Sequence, residues 1–188
     1  AYVKAKQMKL LVDDLFEYTK VRQPSVPIHT TTFDMAQLIE QLAADFELEA
    51  KKINMQIQVK ANPASLMMEG DTEKLVRVFN NLLSNALKYG KGGHHIVMEV
   101  DKVGTEAIIA VRNDGPAIPK HSLDQLFDRF YRVEESRSQE TGGTGLGLAI
   151  AQSIVALHGG YIYAKSDQKW TSFIIHLPLQ RTNKKSES

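Results

Sequence analysis

With 188 residues the chain can bury one good-sized domain and carry an appendage, and 43% apolar with 24% charged residues is ordinary for a soluble globular protein. Lysine and arginine total 23 against 22 acids, a net charge of +1, which indicates no general affinity for nucleic acid. Cysteine is absent, which excludes disulfides, zinc fingers and thiol chemistry, and no apolar run approaches the ~20 residues that cross a bilayer. No signal peptide opens the sequence, and Ala1 falls inside a helical pattern without a methionine, so the chain reads as a piece of something longer.

Residues 1–21 are expected to be helical. Met8, Leu11, Leu15 and Tyr18 repeat at spacings of three and four, as in a coiled-coil seam, and Val12 and Phe16 widen the stripe. One helix cannot bury that stripe by itself, so either a partner helix or the chain's own domain must cover it. Pro24 and Pro27 then break the helix and mark a hinge over 23–27. A short strand is predicted over 28–33. Asp34 follows as the N-cap of a helix that carries Leu38, Ile39, Leu42 and Phe46 on one face and ends near Lys51. Ile53, Met55, Ile57 and Val59 alternate with polar residues, which predicts a half-buried strand. Asn62-Pro63 turns the chain, and 66–68 is another brief strand.

Asp71 caps the next helix, which runs to about Tyr89 with Leu75, Val78, Phe79, Leu82, Leu83 and Ala86 on its buried side. Asn81, Asn85 and Lys88 fall on a single polar stripe of that helix. Asparagine is a mediocre helix former, so two on one stripe mark either a solvated face or a site. After Gly90–Gly93, the segments 95–100 and 107–113 read as a hairpin joined around Gly104. Residues 113–119 make a turn at a strand end, where binding groups often sit, although the composition suits a plain turn equally. A short helix is expected over 122–127, and the polar segment 133–141 reads as a mobile lid. Gly143, Gly145 and Gly147 then alternate ahead of a helical pattern over 149–157. A helix starting at about Gly145 would aim free N–H groups and its positive dipole end at a phosphate, while a flexible loop before a helix has the same composition. No Gly-Lys-Ser/Thr closes a P-loop, and no strand precedes the glycines as in a Rossmann unit. His158 before Gly159-Gly160 reads as a helix C-terminal residue favoured by the dipole, and His94-His95 as a strand start. The last strands are expected over 161–165 and 170–177, with Thr171, Phe173, Ile175 and Leu177 on one face, and 181–188 as a disordered tail.

Five segments in order resemble the ATP-binding domain of sensor histidine kinases, in the superfamily that includes gyrase, the heat-shock chaperone and the mismatch-repair ATPase. They are Asn81-Leu82-Leu83-Ser84-Asn85-Ala86-Leu87-Lys88-Tyr89 (the N box), Asn113-Asp114-Gly115, Leu126-Phe127-Asp128-Arg129-Phe130-Tyr131-Arg132 (the F box), Gly143-Thr144-Gly145-Leu146-Gly147-Leu148 and Thr171-Ser172-Phe173. Within that family the stretch from Phe130 to Phe173 is similar to the sensor kinases of glycopeptide resistance. The resemblance implies a two-layer α/β sandwich, a mixed sheet with helices on one face, over 28–180. Residues 1–22 would be the second helix of a truncated dimerisation hairpin.

The same resemblance implies ATP and Mg²⁺ as cofactors. Asn85, with Asn81 beside it, would ligate the metal through side-chain oxygens, and Asn81, Lys88 and Arg132 would act on the phosphoryl group; Arg129 is the weaker candidate. Tyr89, Asn113, Asp114, Gly115, Ile118 and Thr171 would also contribute to the nucleotide site, with Asn113 accepting from the purine amino group and Asp114 serving as a turn residue. Phe130, Gly143, Thr144, Gly145, Leu146, Gly147 and Leu148 would line the phosphate end. Hydrolysing members of the superfamily have a glutamate where Asn81 stands, and an amide cannot accept a proton from water at neutral pH. The reaction implied is therefore transfer of the γ-phosphoryl to a histidine on the hairpin, and thence to an aspartate of a response regulator of the glycopeptide-resistance kind. None of His29, His94, His95, His121, His158 and His176 has the family's His-acid-x-x-x-Pro context. The family's adenine-reading aspartate stands two residues before the glycine, where this chain has Asn113; Ala117 replaces a usual glycine. The full protein is expected to be a homodimer, and this portion cytoplasmic, with a membrane reached only through segments outside this sequence. A true ATP hydrolase and a nucleotide-switched interaction module are the rival readings.

Overall fold

The computed structural model describes residues 2–23, 25–133 and 143–180. The expected lid, Gly142 and the expected tail lie largely or wholly outside them. Twelve elements follow one another among the described residues: α1 (Tyr2–Val21), β1 (Thr31–Asp34), α2 (Met35–Lys52), β2 (Gln56–Asn62), β3 (Met67–Gly70), α3 (Thr72–Tyr89), β4 (His95–Val103), β5 (Glu106–Asn113), α4 (Lys120–Leu123), α5 (Gly147–Leu157), β6 (Tyr161–Ser166) and β7 (Thr171–Pro178).

Alternation decides which side of the sheet is covered. Successive strand residues point to opposite faces, so Ile96, Met98 and Val100 of β4, Ile109 and Val111 of β5, and Phe173, Ile175 and Leu177 of β7 present one apolar surface. Helices α2, α3 and α5 lie against that surface. The strand order is β2-β4-β5-β7-β6, with β2 parallel to β4 and every other pair antiparallel, which is the mixed sheet expected. A separate antiparallel pair, β1 with β3, runs ahead of α3.

Both predicted N-caps are in place. The Asp34 carboxylate accepts the N–H groups of Ala36 at 2.9 Å and Gln37 at 3.4 Å, and Asp71 Oδ1 accepts that of Lys74 at 3.1 Å. Several boundaries differ from expectation. Strand β1 begins at Thr31 rather than at residue 28. Ile53 caps the C-terminus of α2, 41% exposed, so strand β2 starts only at Gln56. Helix α4 is four residues long, beginning two residues before the expected span and covering only its first two residues. Helix α5 starts at Gly147 because Gly145 sits at φ +74 with its carbonyl taken by the Phe130 N–H at 2.9 Å. Helix α1 packs beside α5 and buries Tyr18 and Val21, while Met8, Leu11, Leu15 and Phe16 stay exposed. Its own domain thus covers one end of the stripe and leaves the rest open.

His158 also departs from its expected role. It is 3% exposed; its Nε2 accepts the Asp71 N–H at 3.0 Å, and Nδ1 lies 2.8 Å from the Ile154 carbonyl. Those partners fix the Nδ1–H tautomer, because one nitrogen must accept and the other donate. The ring therefore joins the end of α5 to the start of α3 instead of acting as a cation at the helix dipole.

Asp71 links that junction to pH. Burial alone would raise its pKa, but the N–H groups of Lys74 and His29 and the Lys74 ammonium, 3.4 Å from Oδ2, outweigh burial and hold it below the ordinary carboxylate range. A depressed pKa contributes stability that is full above the unfolded value near ~3.9 and is lost as pH falls through the folded value. Asp71→Asn keeps an acceptor for the cap but cannot titrate. Its unfolding midpoint should fall less steeply than that of the unaltered protein between about pH 5 and pH 2, measured by denaturant titration. Equal slopes would show that Asp71 does not carry the acid sensitivity.

Candidate nucleotide site

A cavity of about 520 Å³ opens between α3, the ends of β5 and β7, and the glycine turn before α5. Its construction begins with α3. Leu75, Val78, Phe79, Leu82 and Leu83 are fully buried, which pins the helix and turns the opposite stripe toward the cavity. Asn81, Asn85, Lys88 and Tyr89 line that wall. The Asn81 amide donates from Nδ2 to the Gly147 carbonyl at 3.0 Å, tying α3 to the first residue of α5. That bond orients the amide and leaves Oδ1 as its remaining acceptor.

Charge is distributed unevenly. Among the described lining residues, Arg77, Lys88, Lys91 and Arg132 are cationic, and Asp14 is the only acid. A concave site with that balance suits an anionic ligand. Gly143, Thr144, Gly145, Gly147 and Leu148 line the same end. Gly145 is required on two grounds: its φ is positive, and a Cβ there would lie 2.8 Å from the Phe130 Cα.

At the other end Asn113, 4% exposed, stands opposite Thr171 in the β5–β7 register. Thr171 Oγ1 lies 2.7 Å from Ser166 Oγ, which accepts the Ile118 N–H at 2.9 Å. This chain of hydrogen bonds holds Ile118 and its neighbours Pro116, Ala117 and Pro119 at the cavity wall.

Four residues implied by the resemblance lie elsewhere. Asp114 turns back on β4: its Oδ1 accepts the N–H groups of His94 and His95, each at 2.7 Å, and Oδ2 lies 2.7 Å from His95 Nδ1. Burial works to raise its pKa, and the His95 and His94 contacts lower it below the usual carboxylate range. Gly115 is a packing glycine, since a Cβ there would stand 2.5 Å from the Gly90 Cα. Phe130 is 58% exposed, and its backbone N–H donates to the Gly145 carbonyl of the glycine turn at 2.9 Å. Leu146 is fully buried in the core. Of the two F-box arginines, Arg132 lines the cavity, whereas the Arg129 guanidinium lies 5.9 Å from the Tyr18 ring centre on α1.

Sequence reasoning missed Arg77, Asn80, Lys91, Ser166 and Asp14. Arg77 was within reach of the pattern, because it stands one turn before Asn81 on the same stripe. Asn80 Oδ1 is buried without a hydrogen-bond partner. Asp14 gave no signal, since its position on α1 carries no marker of a cavity 60 residues or more away in sequence. No group of three or more His, Cys, Asp or Glu that could hold a metal occurs among the described residues. A divalent ion would need oxygen from Asn85 and Asn81, with the rest of its shell from phosphate and water, which hard Mg²⁺ accepts.

Sheet, helices and cavity together have the build of an ATPase domain of the α/β sandwich kind. The family described as histidine kinase-, DNA gyrase B-, and HSP90-like ATPase matches residues 70–181, and the chain belongs to it. The sensor protein VanS of Enterococcus faecium is 37% identical over 175 residues, covering 93% of this chain and 45% of that protein. The sensor protein kinase WalK of Staphylococcus aureus is 33% identical over 178 residues, covering 93% and 42%. The chain thus spans about half the length, or less, of these curated relatives. The catalytic domain of histidine kinase ThkA superposes with a TM-score of 0.73 at 28% identity, covering 81% of this chain and 97% of that one. ThkA in complex with the response regulator protein TrrA gives a TM-score of 0.78 at 24% identity, over 98% and 50%.

The opposite orientations of Asn113 and Asp114 can be tested by titrating ATP into alanine variants. Losing one neutral hydrogen bond to the base should make Asn113→Ala bind roughly two- to tenfold more weakly. Asn113→Asp should tighten binding, and Asp114→Ala should change it little. Loss of affinity in Asp114→Ala with Asn113→Ala unaffected would reverse the assignment.

Proposed function

We propose that this chain is the ATP-binding catalytic part of a two-component sensor histidine kinase. It presents the γ-phosphoryl of Mg-ATP to a histidine on a dimerisation hairpin, for relay to a response-regulator aspartate. The observation that carries this reading is the cavity wall of α3, where Asn81, Asn85 and Lys88 face a phosphate-suited space with an amide at the position of a hydrolytic base. The one carboxylate among the described lining residues, Asp14, is already engaged by Arg77 and Thr144. None of the six histidines lines it; His95 is paired with Asp114, and His158 is buried between two helix ends. A site that orients a phosphoryl group without a base to activate water favours transfer to a nucleophile from outside.

Each group has a part in that transfer. Asn113, Thr171 and Ile118 would receive the base, and Lys88 and Arg132 would offset negative charge on the phosphates. Backbone N–H groups of the glycine turn would cradle the phosphate oxygens. Mg²⁺, when bound, supplies neutralisation of charge on the β- and γ-phosphoryl oxygens. The exposed stripe of α1 fits the second helix of a hairpin, hence a homodimer in the longer protein. The response-regulator partner is supported by the complex known for ThkA. A VanS-like part in vancomycin-resistance signalling is the finer form of this reading, and the 37% identity to VanS that supports it stands beside 33% to WalK. No helix among the described residues is long and apolar enough to cross a membrane, so an anchored sensor would use other segments.

Radioactive ATP separates this reading from hydrolysis. The chain alone should stay unlabelled and release little phosphate, while a separately supplied hairpin carrying the histidine should acquire acid-labile label. Label on this chain alone, or rapid phosphate release without the hairpin, would contradict transfer. Asn85→Ala should lose most of the magnesium-dependent part of ATP affinity with little change in thermal stability of the nucleotide-free protein. A variant that still binds Mg-ATP as tightly would remove Asn85 from the metal site.

A further inference from the structure

The phosphate end of the cavity already holds an anion, and it belongs to the chain itself. Asp14 projects from α1, with its side chain only 17% exposed. Arg77 Nη2 donates to Asp14 Oδ1 at 2.5 Å, and Thr144 Oγ1 donates to Asp14 Oδ2 at 2.6 Å. One donor comes from the polar stripe of α3 and the other from the glycine turn, so the carboxylate bridges the two walls between which a phosphate would lie. Thr144 Oγ1 also accepts the Leu146 N–H at 3.3 Å, which makes the hydroxyl part of the turn's own geometry. The guanidinium is not fully used: Arg77 Nε is buried without a hydrogen-bond partner.

We infer that Arg77 and Thr144 form a seat for the terminal phosphate of the nucleotide, occupied in its absence by the Asp14 carboxylate. Nucleotide and α1 therefore compete for the same donors. The inference rests on the ATP-binding reading given above and adds to it both a further phosphate-binding residue and a means of coupling α1 to the site.

Three observations favour an exchangeable occupant over a structural ion pair. Both donors suit a phosphate oxygen at least as well as a carboxylate, and a guanidinium fork can serve either. Asp14 is the sole acid among the described lining residues, set against four cations, so its placement on two phosphate-suited donors is specific. A second cavity of about 570 Å³ lies between the C-terminal half of α1 and α3, with Arg77 and Asn80 in the walls of both, so little packing backs the bridge on that side. A contact so built can open without dismantling the core.

The consequence is quantitative. A site whose competent form is only partly populated binds more weakly by that fraction, and removing the competitor removes the deficit. Asp14→Asn should tighten Mg-ATP by roughly three- to thirtyfold while leaving AMP, which has no terminal phosphate to reach the seat, within about twofold. Arg77→Gln should weaken ATP, and adding Asp14→Asn to it should restore little, because the two share one interaction. Calorimetric titration of ATP, AMP and inorganic tripolyphosphate into the four proteins decides this. Equal gains for AMP and ATP, or no gain in Asp14→Asn, would overturn the seat. Wild-type ATP binding tests the functional reading by itself. If ATP failed to bind, tripolyphosphate affinity raised by Asp14→Asn and lowered by Arg77→Gln would still support the seat, and its indifference to both would sink it. Amide hydrogen exchange in α1 should rise when ATP is added to the wild-type chain, and should already be raised in nucleotide-free Asp14→Asn. Exchange that ignores both changes would also refute the inference.

Discussion

Helix α3 must be two surfaces at once, and that requirement organises the domain. One side is apolar and fully buried against the sheet; the other carries a row of amides and cations into the cavity. Each buried Leu, Val or Phe contributes about 1.5–3 kcal/mol. That is enough to fix the rotation of the helix despite three asparagines, Asn80, Asn81 and Asn85, that favour other conformations. The rotation is what places Arg77, Asn81, Asn85 and Lys88 on one line. The helix is also held at its start, where Asp71 caps it and receives its own position from His158 at the end of α5. The two helices that frame the phosphate end are thus joined twice, through His158 to Asp71 and through Asn81 to Gly147.

The turns that complete the site are fixed by close approach more than by their local sequence. Gly90 ends α3 and Gly115 follows β5, and the two meet backbone to backbone with no room for a side chain. Their contact sets the end of α3 beside the end of β5, so Lys88 and Asn113 belong to one cavity. Gly145 and Phe130 do the same on the opposite wall, each at positive φ, with the Phe130 N–H bonded to the Gly145 carbonyl.

What could be read from the chain was local. Asp34 and Asp71 are followed by helical periodicity, the β4–β5 hairpin has Gly104 at its turn, and β7 alternates strictly; each signal lies within a dozen residues of its consequence. The polar stripe of α3 is legible too, and the same spacing carries it back one turn to Arg77. Errors arose where a local pattern ran past the element it belonged to. Ile53 continues the alternation of β2, yet it closes α2. Gly145 looks like the start of α5, yet its carbonyl is claimed by a residue 15 positions earlier. Asp114 and Leu146 stand inside recognised motifs, but one carboxylate is spent on the start of β4 and one side chain on the core. Asp14 depends on a contact across 130 residues, which no periodicity records.

The electrostatic balance of the cavity follows from these placements and explains why the one acid among its described lining residues matters. The four cations among the described residues around about 520 Å³ would repel one another when the site is empty, and their donors would be left partly desolvated. An internal carboxylate relieves part of that cost while no ligand is present. It cannot do so permanently without taking donors from the phosphate it resembles. A carboxylate at position 81 would have offered the same relief from within the helix, but would also have supplied a base for water. Asn81 instead spends its amide hydrogen on Gly147 and contributes only a neutral oxygen to the cavity. The compensating charge is thereby supplied from α1, outside the helices that frame the site, so the state of the site and the placement of α1 become linked through a single side chain.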